Sequence, residues 1–269
     1  MSQSMQVTRD QSPSVKAEQL AVTYQLGTPQ QEYGVQLTRM TLFCGIVSLV
    51  LAGGSGFLAY QMLTSPRNSN DINNAFFVIG VGVVLLLVAL YCLLYPLIYR
   101  SWHVYVGSEG FAFSRGSKLD AFRWDQIESM WQRVTRRYMN GIYIGTQHKY
   151  TIRGLDGRQV VLNDRITHVE RLGNVISDMV TRVKLPEAIT AFKAGSTLTF
   201  GPLSVSMQGV SNRKELISWD QIKEFKVNNG IVTVKKEGKW LSWSSVQAAN
   251  IPNFFIFLAL VNAIMRKAI

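Results

Sequence analysis

Two stretches, Met40–Met62 (MTLFCGIVSLVLAGGSGFLAYQM) and Ala75–Ile98 (AFFVIGVGVVLLLVALYCLLYPLI), decide how this chain is built. They run 23 and 24 residues without a charged side chain. A helix rises about 1.5 Å per residue, so each is long enough to cross a hydrocarbon layer of about 30 Å. The spacer between them holds Pro66, Arg67, Asn68, Asn70 and Asp71, too short for a domain and too polar for lipid. This pattern predicts a transmembrane helical hairpin over residues 39–99, with spans at 40–62 and 75–98.

Charge is distributed unevenly around that hairpin. Residues 1–98 carry four bases and four acids, so the whole formal excess of +11 falls after the second span. Lys and Arg next to membrane helices are retained on the cytoplasmic side. Arg39 precedes the first span and Arg100 follows the second, so both termini and everything after residue 100 are expected in the cytoplasm. Residues 1–38 are polar, rich in Gln and Ser, and lack the apolar core of a secretory signal; they read as a disordered tail.

Within the spans, Gly45, Gly53, Gly54, Ser55, Gly56, Gly80 and Gly82 allow close helix approach, and Ala52 with Gly56 forms a small-xxx-small pair. Packing of one span on the other is the simpler role; a dimerisation face or a hinge at Gly53–Gly56 is the sharper one. Cys44 and Cys92, the two cysteines, both fall inside the spans and read as small packing residues. Neither span holds an Asp, Glu, Lys, Arg or His side chain, which argues against a channel or pump formed by the two helices alone.

From Trp102 the hydrophobic period changes to two. Phe111 and Phe113, Leu203, Val205 and Met207, and Leu241 and Trp243 alternate with small or polar residues, and glycines punctuate the runs. These are antiparallel strands joined by tight turns. Two helices interrupt them. The first is expected to start at Thr167, with Glu170 completing a capping box, and to stop at Pro186. The second is expected near Asn250, with Pro252 in its first turn and an apolar stripe through Phe254, Phe257, Leu258, Val261, Ile264 and Met265. Its apolar run is too short for a third span.

The order of strands then helix occurs twice, and a four-residue string marks the repeat. Trp124, Asp125, Gln126 and Ile127 recur as Trp219, Asp220, Gln221 and Ile222. Two modules follow, at 100–186 and 193–269. The first is longer between its Trp and its helix, and the excess is placed within Thr135–Lys149.

Short strands closed by a C-terminal amphipathic helix, with a Trp-Asp-x-Ile step after the third strand, resemble the bacterial pleckstrin-homology-like domain, which often follows two spans in small bacterial membrane proteins of unknown function. The resemblance implies an α+β membrane protein. The helical hairpin would lead into two PH-like split β-barrels, each plugged at one end by its helix. It further implies that Trp124 and Trp219 are packing residues and that Asp125 and Asp220 shape the turn into the next strand. It supplies no catalytic residues.

One local cluster points to binding. Arg133, Arg136, Arg137, Lys149 and Arg153, with Tyr138, Tyr143 and His148, bracket Asn140-Gly141, a two-residue hairpin signal. A basic ribbon of this kind can lie against anionic headgroups at about 1 kcal/mol per base; the alternative is a solvated hairpin whose strand faces split the cluster. Lys235, Lys236 and Lys239 read first as guards of a strand edge. His103, His148 and His168 are scattered, no Cys lies after residue 100, and no GxSxG, HExxH, Walker A or CxxC string is present. The expectation is a non-enzymatic, membrane-anchored scaffold with no cofactor, no metal and no nucleic acid partner. A lipid membrane would be its setting, an unidentified protein or anionic headgroups its ligands, and homo-oligomerisation open to it. Lipid-headgroup binding, or service as an accessory subunit of a transporter or envelope-stress system, are the alternatives.

Overall fold

The computed structural model describes residues 15–35, 39–66, 68 and 70–266. The expected tail is ordered where it is described. Val15–Thr23 forms helix α1, burying Ala17 and Ala21. Pro29–Tyr33 forms strand β1, which pairs antiparallel with β2, Trp102–Gly107. Residues 15–33 are therefore not disordered; residues 1–14 and 36–38 of that expectation lie outside the described residues. The polarity of β1 has a simple cause. It is an edge strand, held by backbone bonds to β2, and only Tyr33 turns a large side chain into the core.

Two compact units result. One is Gly34–His103 with Ser114–Lys118; the other holds the residues up to Tyr33, Val104–Phe113 and Leu119 onward. In the first, α2 (Arg39–Thr64) and α3 (Asp71–Tyr99) pack on each other as a helical hairpin. Both are long and apolar enough to cross a membrane, and their apolar side chains are mostly exposed, as for Phe76, Phe77 and Leu87. An added Cβ at Gly45 would crowd the Cys92 side chain, and one at Gly82 would strike the Ser55 hydroxyl, so the two helices approach closely at both glycines. Gly53, Gly54, Gly56 and Gly80 face open space, so of the small-xxx-small pair Gly56 takes no part in the contact between the two helices, whereas the Ala52 carbonyl faces Gly82. Tyr91, Tyr95, Tyr99 and Trp102 form a ladder of ring contacts along the end of α3, where amphipathic rings suit a membrane–water interface.

In the second unit the element order is nearly the same twice. The first round has a four-stranded sheet β1-β2-β3-β4, with β3 at Gly110–Arg115 and β4 at Lys118–Arg123. A single 3-10 turn, Trp124–Gln126, leads to a three-stranded sheet, β5 (Ile127–Met139), β6 (Ile142–Gly154) and β7 (Gln159–Asn163), and then to α4 (Val169–Lys193). The second round has β8 (Leu198–Phe200), β9 (Leu203–Ser206), β10 (Gly209–Asn212) and β11 (Leu216–Ser218), and then the turn Trp219–Gln221. The strands β12 (Ile222–Asn228), β13 (Ile231–Lys236) and β14 (Ser242–Gln247) and helix α5 (Phe254–Met265) complete it. The missing first strand of round one is β1, so the helical hairpin is inserted between two neighbouring strands of one sheet. The four- and three-stranded sheets are separate among the described residues, and no closed barrel forms.

The rounds agree in detail. Trp124 Nε1 donates to Ser108 O at 3.0 Å and Trp219 Nε1 to Ser206 O at 2.9 Å. Leu155 N–H bonds Gln126 O, and Glu237 N–H bonds Gln221 O, each at 2.8 Å. The same register slip follows each Trp-Asp-Gln turn, at Ile127/Ser129 and Ile222/Glu224. Trp124 is buried and stacks on Phe111, whereas Trp219 is only half-buried. Asp125 is paired with Arg123 at 3.2 Å, and Asp220 is exposed. The excess length of round one is the ribbon β5–β6, two strands of 13 residues against 7 and 6 in β12 and β13.

Several expectations are corrected. Pro186 does not end α4, which runs to Lys193 without a linker at 187–192. The amide that Pro186 lacks would have bonded on an exposed side of the helix, and burial of Phe192 favours the added turns. Helix α4 starts at Val169, after His168 in the left-handed region, and the Glu170 carboxylate lies 3.8 Å from His148. Helix α5 starts at Phe254 rather than Asn250, behind Asn253 in the same left-handed conformation, and buries Ile256, Phe257, Leu260 and Val261. Leu241 lies outside β14, fully in solvent beside Trp240, because the chain turns there instead of alternating.

Candidate functional site

The ribbon β5–β6 is the segment whose side chains are least explained by the core. Its turn, Asn140-Gly141, has φ of 50° and 80°, the double left-handed pair that matches the twist of a two-residue hairpin. β7 covers β6 only from Lys149 to Arg153. Beyond that point the ribbon continues alone, and every residue from Arg133 to Ile144 is exposed.

Register sorts the predicted bases. Directly opposed residues of an antiparallel pair share a face. Arg133 opposes Lys149, and Arg137 opposes Gly145, so Arg133, Arg137 and Lys149 lie on one face. Arg136 opposes Thr146 and, with Val134 and His148, lies on the other. Arg153 stands on the Arg133 face but is already engaged: its Nε is 2.9 Å from Glu128, and its guanidinium lies 5.1 Å from the Trp131 ring centre. The structure thus brings together three of the five expected bases, sets Arg136 behind them, and commits Arg153 to its neighbours.

The root of the ribbon is fixed by His148. Its backbone N–H donates to Asp164 at 3.0 Å, its Nδ1 is 3.3 Å from the same carboxylate, and Glu170 approaches its Nε2. Next to it, Tyr150 is buried under Gly173 of α4; burial, then the charges of Glu170 and Asp164, push its phenol up to about 12.

Sequence reasoning named the two tyrosines of the tip, Tyr138 and Tyr143, and missed its apolar residues Met139, Ile142 and Ile144. Tyr138, Met139, Ile142, Tyr143 and Ile144 surround the turn and are all more than half out of the fold, or nearly so. Tyr138 and Tyr143 meet edge to face at 5.8 Å, and the Tyr143 hydroxyl shares a 2.6 Å bond with Thr146. Their signal was present: five large apolar or aromatic side chains flank Asn140-Gly141 without the alternation that a half-buried hairpin requires. Arg137/Tyr138 is also where the register shifts, with Gly145 at φ 140°, so one extra residue re-aims the tip.

The second basic group is mostly spoken for. Lys235 lies 2.7 Å from Glu224, whose carboxyl it holds below the usual range, and Lys236 lies 3.5 Å from Glu215, which also accepts from Trp243 Nε1. Among the described residues no group of three His, Cys, Asp or Glu is gathered in a way that could hold a metal ion.

Residues 1–268 match a family model described as a family of unknown function, DUF6585, and the chain belongs to that family. Neither a curated protein nor a solved structure matches it.

Proposed function

We propose that this chain is a membrane-anchored, non-enzymatic binding protein whose repeated modules are PH-like, and whose β5–β6 ribbon engages an anionic lipid surface. The observation that carries the reading is the composition of the free ribbon. An apolar and tyrosine-rich tip, Tyr138 to Ile144, stands on a shank bearing Arg133, Arg136, Arg137 and Lys149. Tyrosine suits the headgroup level, aliphatic side chains the acyl boundary, and Arg and Lys the phosphates just outside it. Two helices able to span a membrane supply the setting. The four-plus-three strand order closed by one helix supports the PH-like assignment, and the concentration of positive charge after α3 supports a cytoplasmic position. A protein scaffold or an accessory-subunit role would not by itself require an apolar tip on a basic shank.

The test uses the full chain with Cys44→Ala and Cys92→Ala, and an environment-sensitive dye on Met139→Cys. Reconstituted into nanodiscs, the dye should shift to the blue as anionic lipid replaces zwitterionic lipid. Added vesicles of the same composition ask whether a facing bilayer is used instead. Raised salt and the triple change Arg133→Ala, Arg136→Ala, Arg137→Ala should reverse the shift. A dye that reports water in every composition, with and without vesicles, removes the lipid reading and leaves a protein ligand.

A further inference from the structure

The two rounds of the fold meet at a junction that the chain makes once and has the parts to make again. The outer edge of β5 is occupied by Asn253, the left-handed residue just before α5. Asn253 N–H donates to Met130 O at 2.8 Å, its Oδ1 accepts from Met130 N–H at 3.0 Å, and its Nδ2 donates to Glu128 O at 3.0 Å. One asparagine thereby completes a strand edge in the way another strand would.

Each half of that junction has a counterpart. Met130 lies six residues after Trp124, and Phe225 lies six after Trp219, past the same register slip. Among the described residues β12 pairs with β13 alone. Its two-residue turn, Asn229-Gly230, makes Asn228 and Ile231 a hydrogen-bonded pair, so the N–H and C=O of Val227 and Phe225 point away from β13. The counterpart of Asn253 is His168. Both precede a closing helix, at φ 51° and 52°, and both accept the helix's first bond, Leu172 N–H to His168 O and Phe257 N–H to Asn253 O. Two residues before each is a buried isoleucine, Ile166 and Ile251. His168 is exposed, and a neutral imidazole carries one N–H donor and one bare acceptor nitrogen, the two roles that the Asn253 amide fills.

We infer that the β12 edge docks a second copy of this chain through that copy's His168 corner, repeating between molecules the junction that Asn253 makes within one. The contact is heterologous: edge and corner lie at different places, and each copy owns one of each. Such contacts propagate, or close into a ring, instead of stopping at a two-fold dimer. This inference stands apart from what the β5–β6 ribbon touches.

The full chain with Cys44→Ala and Cys92→Ala is the starting material. One preparation carries Arg165→Cys, an exposed position in the same corner that leaves the His168 imidazole in place, another Val227→Cys, and the two are co-reconstituted into liposomes and treated with a short bis-maleimide. Cross-linked pairs should form in the mixture and not in either preparation alone, and a chain bearing both changes should give a ladder beyond the dimer. Val227→Pro sets a proline ring on the outward edge next to the Phe225 amide while leaving the bonds to β13; it should abolish the ladder with an unchanged thermal transition. Cross-linking of Val227→Cys with itself would show edge pairing with edge and overturn the inference. So would uncross-linked chains of monomer mass in the mixture.

Discussion

Tyr33 and Val104 are paired across β1 and β2, although the whole helical hairpin lies between them in the chain. The hairpin therefore leaves and re-enters one sheet at neighbouring strands. A fragment beginning at residue 100 would lack β1, leaving the β2 edge bare and Tyr33, which is 6% exposed, missing from the core. Replacing residues 34–101 by a short Gly-Asn turn should instead give a water-soluble, cooperatively unfolding protein. Within it, Tyr33→Ala should cost about 3 kcal/mol through the lost burial and the cavity left behind. Chemical denaturation of the shortened chain measures both; aggregation of the shortened chain would show that β1 and β2 do not meet.

Asn253 contributes in two ways that substitutions separate. Its side chain satisfies Met130 N–H and Glu128 O, and its backbone sits at φ 52°, which Asn tolerates and Ala does not. Asn253→Ala should lose about 2–3 kcal/mol, and Asn253→Gly about 1–2, because glycine keeps the conformation but not the amide. Urea titrations should rank the two in that order. Equal losses would mean that the left-handed backbone carries no strain.

What could be read from residue types was local. The two spans, the Asn140-Gly141 turn and the repeated Trp-Asp-Gln-Ile string all declare themselves within a few positions. β1 did not, because Pro29–Tyr33 is polar and its reason for being a strand is a partner on the far side of α2 and α3. The run of α4 through Pro186 was hidden for a related reason: Phe192 finds its burial only in the folded unit. The basic cluster was legible as a list but not as a surface. Which bases share a face follows from the register, and Arg153 is withdrawn from the cluster by Glu128 and Trp131, neither of which spacing alone connects to it.

Alkaline pH should destabilise the protein through Tyr150. Its phenol is raised from 10.0 to about 12, so between those values the folded state holds a proton that the unfolded state has released. Stability from this group is fully present below about pH 10 and declines as pH rises toward about 12. Tyr33 and Tyr105 are raised by burial and act in the same direction. Tyr150→Phe should flatten part of the decline in urea midpoints measured from pH 9 to 12. A slope unchanged by that substitution would assign the alkaline loss to other groups.

The last prediction separates bases that hold the fold from bases that face outward. Arg153 combines a half-exposed ion pair with Glu128 and a stack on Trp131, together worth about 1–1.5 kcal/mol. Arg153→Ala should therefore lower stability by about that amount and leave lipid partition nearly unchanged. Arg133, Arg136 and Arg137 stand on the exposed ribbon, and changing all three to Ala should alter stability by no more than about 0.5 kcal/mol each. If the ribbon meets an anionic surface, their loss should weaken vesicle partition by about 3 kcal/mol at low salt, roughly a hundredfold. Sedimentation of the shortened chain with anionic vesicles, beside its denaturation curve, gives both quantities for each variant. Reversed ranks, with Arg153 governing partition and the three arginines governing stability, would mean that the ribbon packs on protein and that the basic face lies elsewhere.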